Sequence, residues 1–234
     1  MHRQLLRRLR IASNSCIIAQ HKPFSLLSPS SNPRGNKRYA RDLLTEGNRH
    51  GGTWKRAEDP RDLVGLECAG RLDADSTGLL LWTNDRSLLQ HVIGPTTPVD
   101  KEYIVRVSGH VDWSPAQKKE VLRLLRSGMS LDGRPLLPAG VEWLNDHQLR
   151  IVLREGRHRQ IRRMLDIVGL QVEALKRVRI GQLRLQGLTA GCWKPISPAS
   201  AASLLIRQRG PEKKRPQRHT TDAYCVGALR FSGR

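Results

Sequence analysis

Residues 78–82 read Gly-Leu-Leu-Leu-Trp, an apolar run that has to be buried, and the loop directly before it is charged. The full stretch 69–85, AGRLDADSTGLLLWTND, places Asp73 and Asp75 between Arg71 and a Ser-Thr-Gly turn. Burying the run draws the loop to the edge of a core. A carboxylate there is partly desolvated and needs a cation or hydrogen bonds from elsewhere in the chain. An aspartate near a glycine is ordinarily a turn or cap residue. The arginine, the second aspartate and the apolar neighbour make Asp73 a candidate catalytic carboxylate as well.

Around this run the chain reads as strands and helices in irregular order. CIIAQHKPF is a short apolar strand ended by Pro23, and SPSSNPRGNKR (28–38) is a loop. YARDLL reads as a short helix, and 46–62 as a polar, Gly-rich surface insertion. RSLLQHVI has helical spacing with Asp85 as its cap. In KEYIVRVSG (101–109), Lys101, Tyr103, Val105 and Val107 alternate with Glu102, Ile104 and Arg106, which predicts a strand. Ser114-Pro115 opens a helix that Gly128 stops. VEWL and LRIVL are strands joined by the turn NDHQ, and residues 157–168 form a helix ending at Gly169. VEALKRVRIG and QLRLQGL are further strands, and SAASLLIRQ closes the pattern as a helix. The expected fold class is α+β, with a mixed, mostly antiparallel sheet flanked by helices. The expected organisation is a basic N-terminal extension over 1–14, one catalytic domain over 15–206 and a basic, disordered tail over 207–234.

Charge narrows the partner. The chain carries 41 Lys/Arg against 21 Asp/Glu, a net of +20, which favours a polyanion, nucleic acid before an anionic membrane surface. Residues 1–41 contain nine Lys/Arg and no acid, and residues 150–184 contain ten against three acids. Localised charge of this kind reads as a binding surface. On the 157–168 helix, Arg159, Arg162, Arg163 and Asp166 share one side, and Ile161, Leu165 and Val168 the apolar one. Arg157, Arg159, Arg163, Lys176 and Arg177, with Lys101, are candidate contacts to nucleic-acid phosphates, and one arginine is expected to turn inward. Tyr103 is either a sheet-face filler or a ring that stacks on a flipped base.

Other chemistries find no motif. Walker, G-x-S-x-G, H-E-x-x-H and dinucleotide glycine patterns are absent, so no cofactor is expected. Cys16, Cys68, Cys192 and Cys225 are scattered without zinc spacing, and reduced thiols and no metal are expected. Asp73 and Asp75 lie too close in sequence for a glycosidase pair on two faces of a sugar. No run reaches the length of a membrane span. The leader MHRQLLRRLRIASNS is Arg-rich and acid-free, as an organelle presequence is. Cytoplasm and organelle matrix (mitochondrion or plastid) both stay open.

Three motifs taken together resemble one family. GRLDADSTGLLLWTND, KEYIVRVSG and EGRHRQIRRMLDIVGLQVEALKRVRIGQLRL…GCWKPI follow the order and spacing of the RsuA-type pseudouridine synthases, and IIAQHKPF…NPRGNKRYARDLL is similar to that family's first strand. The resemblance covers roughly residues 15–197. It implies a cofactor-free isomerase acting on a specific uridine of structured RNA, ribosomal RNA foremost, and a monomer is expected. It makes Asp73 the essential carboxylate, Tyr103 the base-stacking tyrosine, Arg162 the arginine that pairs with Asp73, and Arg71 a holder of the opened RNA. Asp73 would either attack the ribose or remove a ribose proton. Asp75 would shape the turn.

Three departures accompany it. The family often has an N-terminal S4-type RNA-binding module, whereas some fourteen residues precede the first strand here, so a form without that module is expected. RNA affinity would then rest on the basic helix and the two tails. His158 stands where Asn is common, and the 46–62 loop is longer than typical. The competing readings are a non-catalytic RNA-binding or ribosome-assembly protein on the same fold and a basic ribosomal protein. Neither accounts for the aspartate loop.

Overall fold

The computed structural model describes residues 11–12, 14–28, 37–54, 56–94, 99–109, 113–127 and 129–202. Most of the leader, residues 29–36 of the first loop, Gly128, the last part of the closing helix and the 207–234 tail lie outside the described residues. The strands are β1 (Ile17–Lys22), β2 (Glu67–Cys68), β3 (Thr77–Thr83), β4 (Lys101–Ser108), β5 (Ser130–Leu131), β6 (Arg134–Pro135), β7 (Gly140–Asn145), β8 (Gln148–Leu153), β9 (Gln171–Ile180), β10 (Leu183–Arg184) and β11 (Trp193–Pro195). The helices are α1 (Arg86–Ile93), α2 (Pro115–Ser127), α3 (Gln160–Ile167) and α4 (Pro198–Ala202).

One mixed sheet organises the chain in the order β11-β1-β3-β9-β4-β8-β7, with β2 beside β3 and β10 beside β9. Every pairing in it is antiparallel except β3 with β9, where Thr77 lies opposite Lys176 and Gly78 opposite Arg177. Gly78 explains how the two strands come so close. It has φ 110, and a Cβ built there would lie 2.2 Å from the carbonyl oxygen of Arg177. Only glycine fits that seam.

Two apolar clusters explain the sequence patterns. Leu80 and Trp82 of β3 pack with Ile18, Val105, Ile151 and the buried residues of α2 and α3. Leu79 and Leu81 face the other way, into Ile17, Ala19, Ile180 and the buried face of α1. Strand β3 is therefore covered on both faces, which is why its sequence is continuous rather than alternating. Strands β4 and β8 are apolar on one face only. The other face of β4 carries Glu102, which is nonetheless buried because Arg179 at 2.7 Å and Arg150 at 3.8 Å lie over it.

Local signals set the helices. The Asp85 side chain accepts the Leu88 N–H at 2.9 Å and caps α1. Ser114 Oγ accepts from the Gln117 N–H at 3.3 Å while Gln117 Oε1 accepts from the Ser114 N–H at 2.8 Å, a capping box for α2. Helix α3 begins later than 157, because Arg159 takes a left-handed φ of 49. Gly169, with φ 80, ends it, and the Leu170 N–H returns to the Leu165 carbonyl at 2.9 Å. The 46–62 stretch is attached rather than adrift. Its Trp54 stands edge-on to Trp193 at 5.4 Å, and the His50 N–H donates to the Trp193 carbonyl at 2.7 Å.

Candidate active site

The loop between β2 and β3 carries Asp73 at one wall of a cleft of about 220 Å³. Its backbone is held carbonyl by carbonyl. Arg177 donates to Gly70 at 2.8 Å and to Arg71 at 3.4 Å. Ser28 Oγ donates to the Leu72 carbonyl at 2.6 Å and accepts the Leu72 N–H at 2.8 Å. The Asp73 carbonyl accepts from the Ser76 N–H at 3.1 Å, and that of Ala74 from the Ser25 N–H at 2.9 Å. Arg162 reaches the Asp75 carbonyl at 3.0 Å, and Lys22 Nζ the Ser76 carbonyl at 2.7 Å. All seven carbonyls from residue 70 to 76 thus have donors, and a loop so tied has little freedom to move its side chains.

Two of those donors are buried cations. Lys22 is 0% exposed and Arg177 1%, and both end in backbone oxygens. Arg177 also donates from Nε to the Leu79 carbonyl at 2.7 Å, joining the loop to the first residues of β3. Burial lowers the Lys22 ammonium to about 8, against a smaller opposing pull from Asp75 and Asp73. Burial and the charge of Arg177 lower Lys101, which lines the cleft from β4, to about 8 as well.

The expected partner of Asp73 is displaced by one aspartate. Arg162 pairs with Asp75, at 3.2 Å from Oδ1, and makes no ion pair with Asp73 among the described residues. The reason is geometric: Arg162 also bonds the Asp75 carbonyl at 3.0 Å and the Val172 carbonyl at 3.2 Å, which fixes its fork against the loop's far end. Asp73 has Arg159 at 3.7 Å instead, and the same nitrogen bonds Asp75 at 3.1 Å. Partial burial would raise the Asp75 carboxyl, but Arg162 and Arg159 outweigh that and hold it below the usual carboxylate value.

Asp73, Tyr103, Arg162, Arg71, Lys101, Arg157, Arg159 and Arg177 all line this one cleft. Several of the expected RNA contacts are engaged in the fold. Arg177 is buried beneath the loop, for the reason just given. Arg157 donates to the Leu131 carbonyl at 3.2 Å and the Arg134 carbonyl at 3.0 Å, fastening the β5–β6 hairpin. Arg163 pairs with Asp132 of the same hairpin, at 3.0 Å. Lys176 is exposed outside the cleft, because its neighbours Leu175 and Arg177 point inward and strand alternation sends it to the other face. Arg71 is exposed at the rim, and no bond or ion pair engages its guanidinium among the described residues. Lys22 and Ser28 were not among the expected site residues; a lysine inside an apolar strand was the available signal for the first. Among the described residues no group of His, Cys, Asp or Glu could hold a metal ion.

A model of the RNA pseudouridylate synthase family matches residues 17–166. The ribosomal large subunit pseudouridine synthase B of Salmonella typhimurium is 39% identical over 136 residues, 56% of this chain and 44% of that protein. The protein of the same name from Bacillus subtilis is 35% identical over 135 residues, 55% of this chain and 53% of that one. The chain spans about half the length of these curated relatives. A crystal structure of a pseudouridylate synthase superposes with a TM-score of 0.65 at 22% identity, covering 82% of this chain and 75% of that one, which shows a common fold.

Proposed function

The chain belongs to the RNA pseudouridylate synthase family, and from that premise we infer that it isomerises a uridine of structured RNA, ribosomal RNA foremost, to pseudouridine. The observation that carries the reading is the held loop. Every carbonyl around Asp73 is bonded, while among the described residues its carboxylate meets a cation only at 3.7 Å. A turn aspartate needs no such support, and neither does a protein that only binds RNA. The names of the curated relatives favour a ribosomal substrate.

The target uridine is flipped out of its stack into the cleft, where Tyr103 lies beside it and Arg71, Lys101 and Arg159 meet the flanking phosphates and polar edges. The C1′–N1 bond breaks, the uracil turns, C1′ bonds to C5, and the C5 proton leaves as N1 gains one. Asp73 serves the ribose, by attack at C1′ or by taking a ribose proton, and both roles require it ionised. Positioning and the desolvated cleft supply the rest of the acceleration.

Mapping pseudouridine in ribosomal RNA from wild-type and Asp73→Asn strains tests this. At least one site is expected to vanish in the mutant. A folded, expressed Asp73→Asn protein that leaves every site modified would overturn the reading.

A further inference from the structure

The cleft presents one side chain that the chemistry described above does not use. Ile93, the last residue of α1, lines it and is 46% exposed. The other apolar residues of the lining, Leu72, Tyr103, Leu153, Ile161 and Leu175, are buried. The rest of the exposed wall is charged, polar or glycine. Leu88, Leu89 and Val92 of the same helix belong to an apolar cluster of the fold, whereas Ile93 belongs to neither cluster. A single exposed isoleucine on an outer surface means little. In a cation-lined cleft it is an apolar contact offered to whatever enters.

The position of Ile93 is fixed from two sides. The Gly94 N–H donates to the Gln90 carbonyl at 2.7 Å, and a Cβ built at Gly94 would lie 2.3 Å from that oxygen. A larger residue there would push the helix end away, and Ile93 with it. Opposite stands Gly70, where the aspartate loop begins. A Cβ built at Gly70 would lie 3.9 Å from Ile93 Cγ2 and 4.0 Å from Lys101 Cε. Ile93 therefore meets the cleft between the loop that carries Asp73 and the strand that carries Lys101 and Tyr103. Its β-branched side chain is stiff at χ1, so little freedom is lost when it is covered.

Flipping a uridine leaves a gap in the base stack and uncovers the face of a neighbouring base, at a cost of a few kcal/mol. Lysine and arginine at the cleft wall meet phosphates, but a bared base face is apolar. Isoleucine is among the side chains that fill such steps where proteins unstack a duplex. Tyr103 does not reach this place, since it is buried deeper in the cleft.

We propose that Ile93 packs on the base next to the target uridine and fills the place in the stack that the flipped uracil leaves. This rests on the reading of the cleft as the uridine site. Ile93 touches no reacting atom. It holds the opened RNA and makes the efficiency of the reaction depend on the neighbouring base, so it is a specificity-determining residue.

The test uses the full chain and the shortest RNA that wild type modifies around the uridine lost in the Asp73→Asn map. A map with no lost uridine removes the parent reading and leaves that of Ile93 without a substrate. Three forms of the RNA are compared: the intact one, and two with an abasic residue on the 5′ or on the 3′ side of the target. On the intact RNA, Ile93→Ala is expected to lower kcat/KM about tenfold, the scale of one lost apolar contact. On one of the two abasic RNAs, wild type and Ile93→Ala should differ by less than about twofold, because the contact has no partner there. The same loss on all three RNAs, which a purely structural role gives, overturns the proposal, and so does no loss on the intact RNA. Should Ile93→Ala fail to fold, Ile93→Gln, closer in size, decides by the same comparison.

Discussion

Arg177 Nε lies 2.7 Å from the carbonyl oxygen of Leu79, while Nη2 of the same side chain lies 2.8 Å from that of Gly70. One guanidinium from β9 therefore spans the loop that carries Asp73, from the residue before it turns to the strand where it ends. A planar fork can bridge two such points, whereas a single ammonium cannot.

Arg177→Met is expected to destabilise the fold by about 2–4 kcal/mol, since it leaves buried carbonyls without donors. Arg177→Lys should recover only part of that. Urea denaturation of the three proteins measures the difference, and equal stability of the lysine variant and wild type would contradict the bridging role.

The β3–β9 seam gives a sharper contrast. Alanine at Gly78 meets the Arg177 carbonyl at 2.2 Å, whereas nothing lies within 4 Å of a Cβ at Gly133. Both have positive φ, 110 and 70. Gly133→Ala should cost about 1–2 kcal/mol for backbone strain alone, and Gly78→Ala more than about 4 kcal/mol or the fold itself. Thermal melts of the pair separate contact from strain.

RNA binding should weaken above about pH 8 as Lys101 loses its proton, because burial and Arg177 lower its ammonium to about 8. Lys101→Arg stays charged over this range and should remove most of the decline. Lys22, lowered to the same region, sits behind the loop and does not line the cleft. Dissociation constants between pH 7 and 9.5 provide the measurement.

Lys22 has its own signature in stability. Its folded value, about 8, lies below the ordinary lysine value of 10.5, so between these pH values the unfolded chain binds the extra proton. Stability contributed through this group therefore rises with pH across that window and is flat below it. Relative to Lys22→Met, wild type should gain up to about 3 kcal/mol from pH 8 to 10.5. A pH-independent difference in unfolding free energy would exclude the linkage.

What could be read from the sequence was what local pattern determines. The alternation of 101–108, the Asp85 cap and the Ser114-Pro115 start depend on residues a few positions apart, and the structure places each as expected. The loop at 70–76 was recognisable as special for the same reason. Its partners were not, because whether Arg162 meets Asp73 or Asp75 turns on a shift of a few ångströms set by Val172. Arg177 looked like surface charge because basic residues usually are. It is buried because β9 lies between β3 and β4, a pairing that joins residues about a hundred positions apart. The bonds of Arg157 and Arg163 within the fold were hidden by the same limit: their acceptors sit on a hairpin whose position only the tertiary fold determines.

The donors that secure the loop are divided along the chain. Lys22 and Ser28 precede it, and Arg162 and Arg177 follow it by 87 and 107 positions from their loop acceptors Asp75 and Gly70. During translation Asp73 therefore leaves the ribosome well before Arg162 and Arg177, which tie its loop. A nascent or prematurely terminated chain thus carries Asp73 in a loop that lacks two of its side-chain donors. The set of donors is complete only once β9 has been made, so truncation anywhere before Arg177 leaves the loop partly untied.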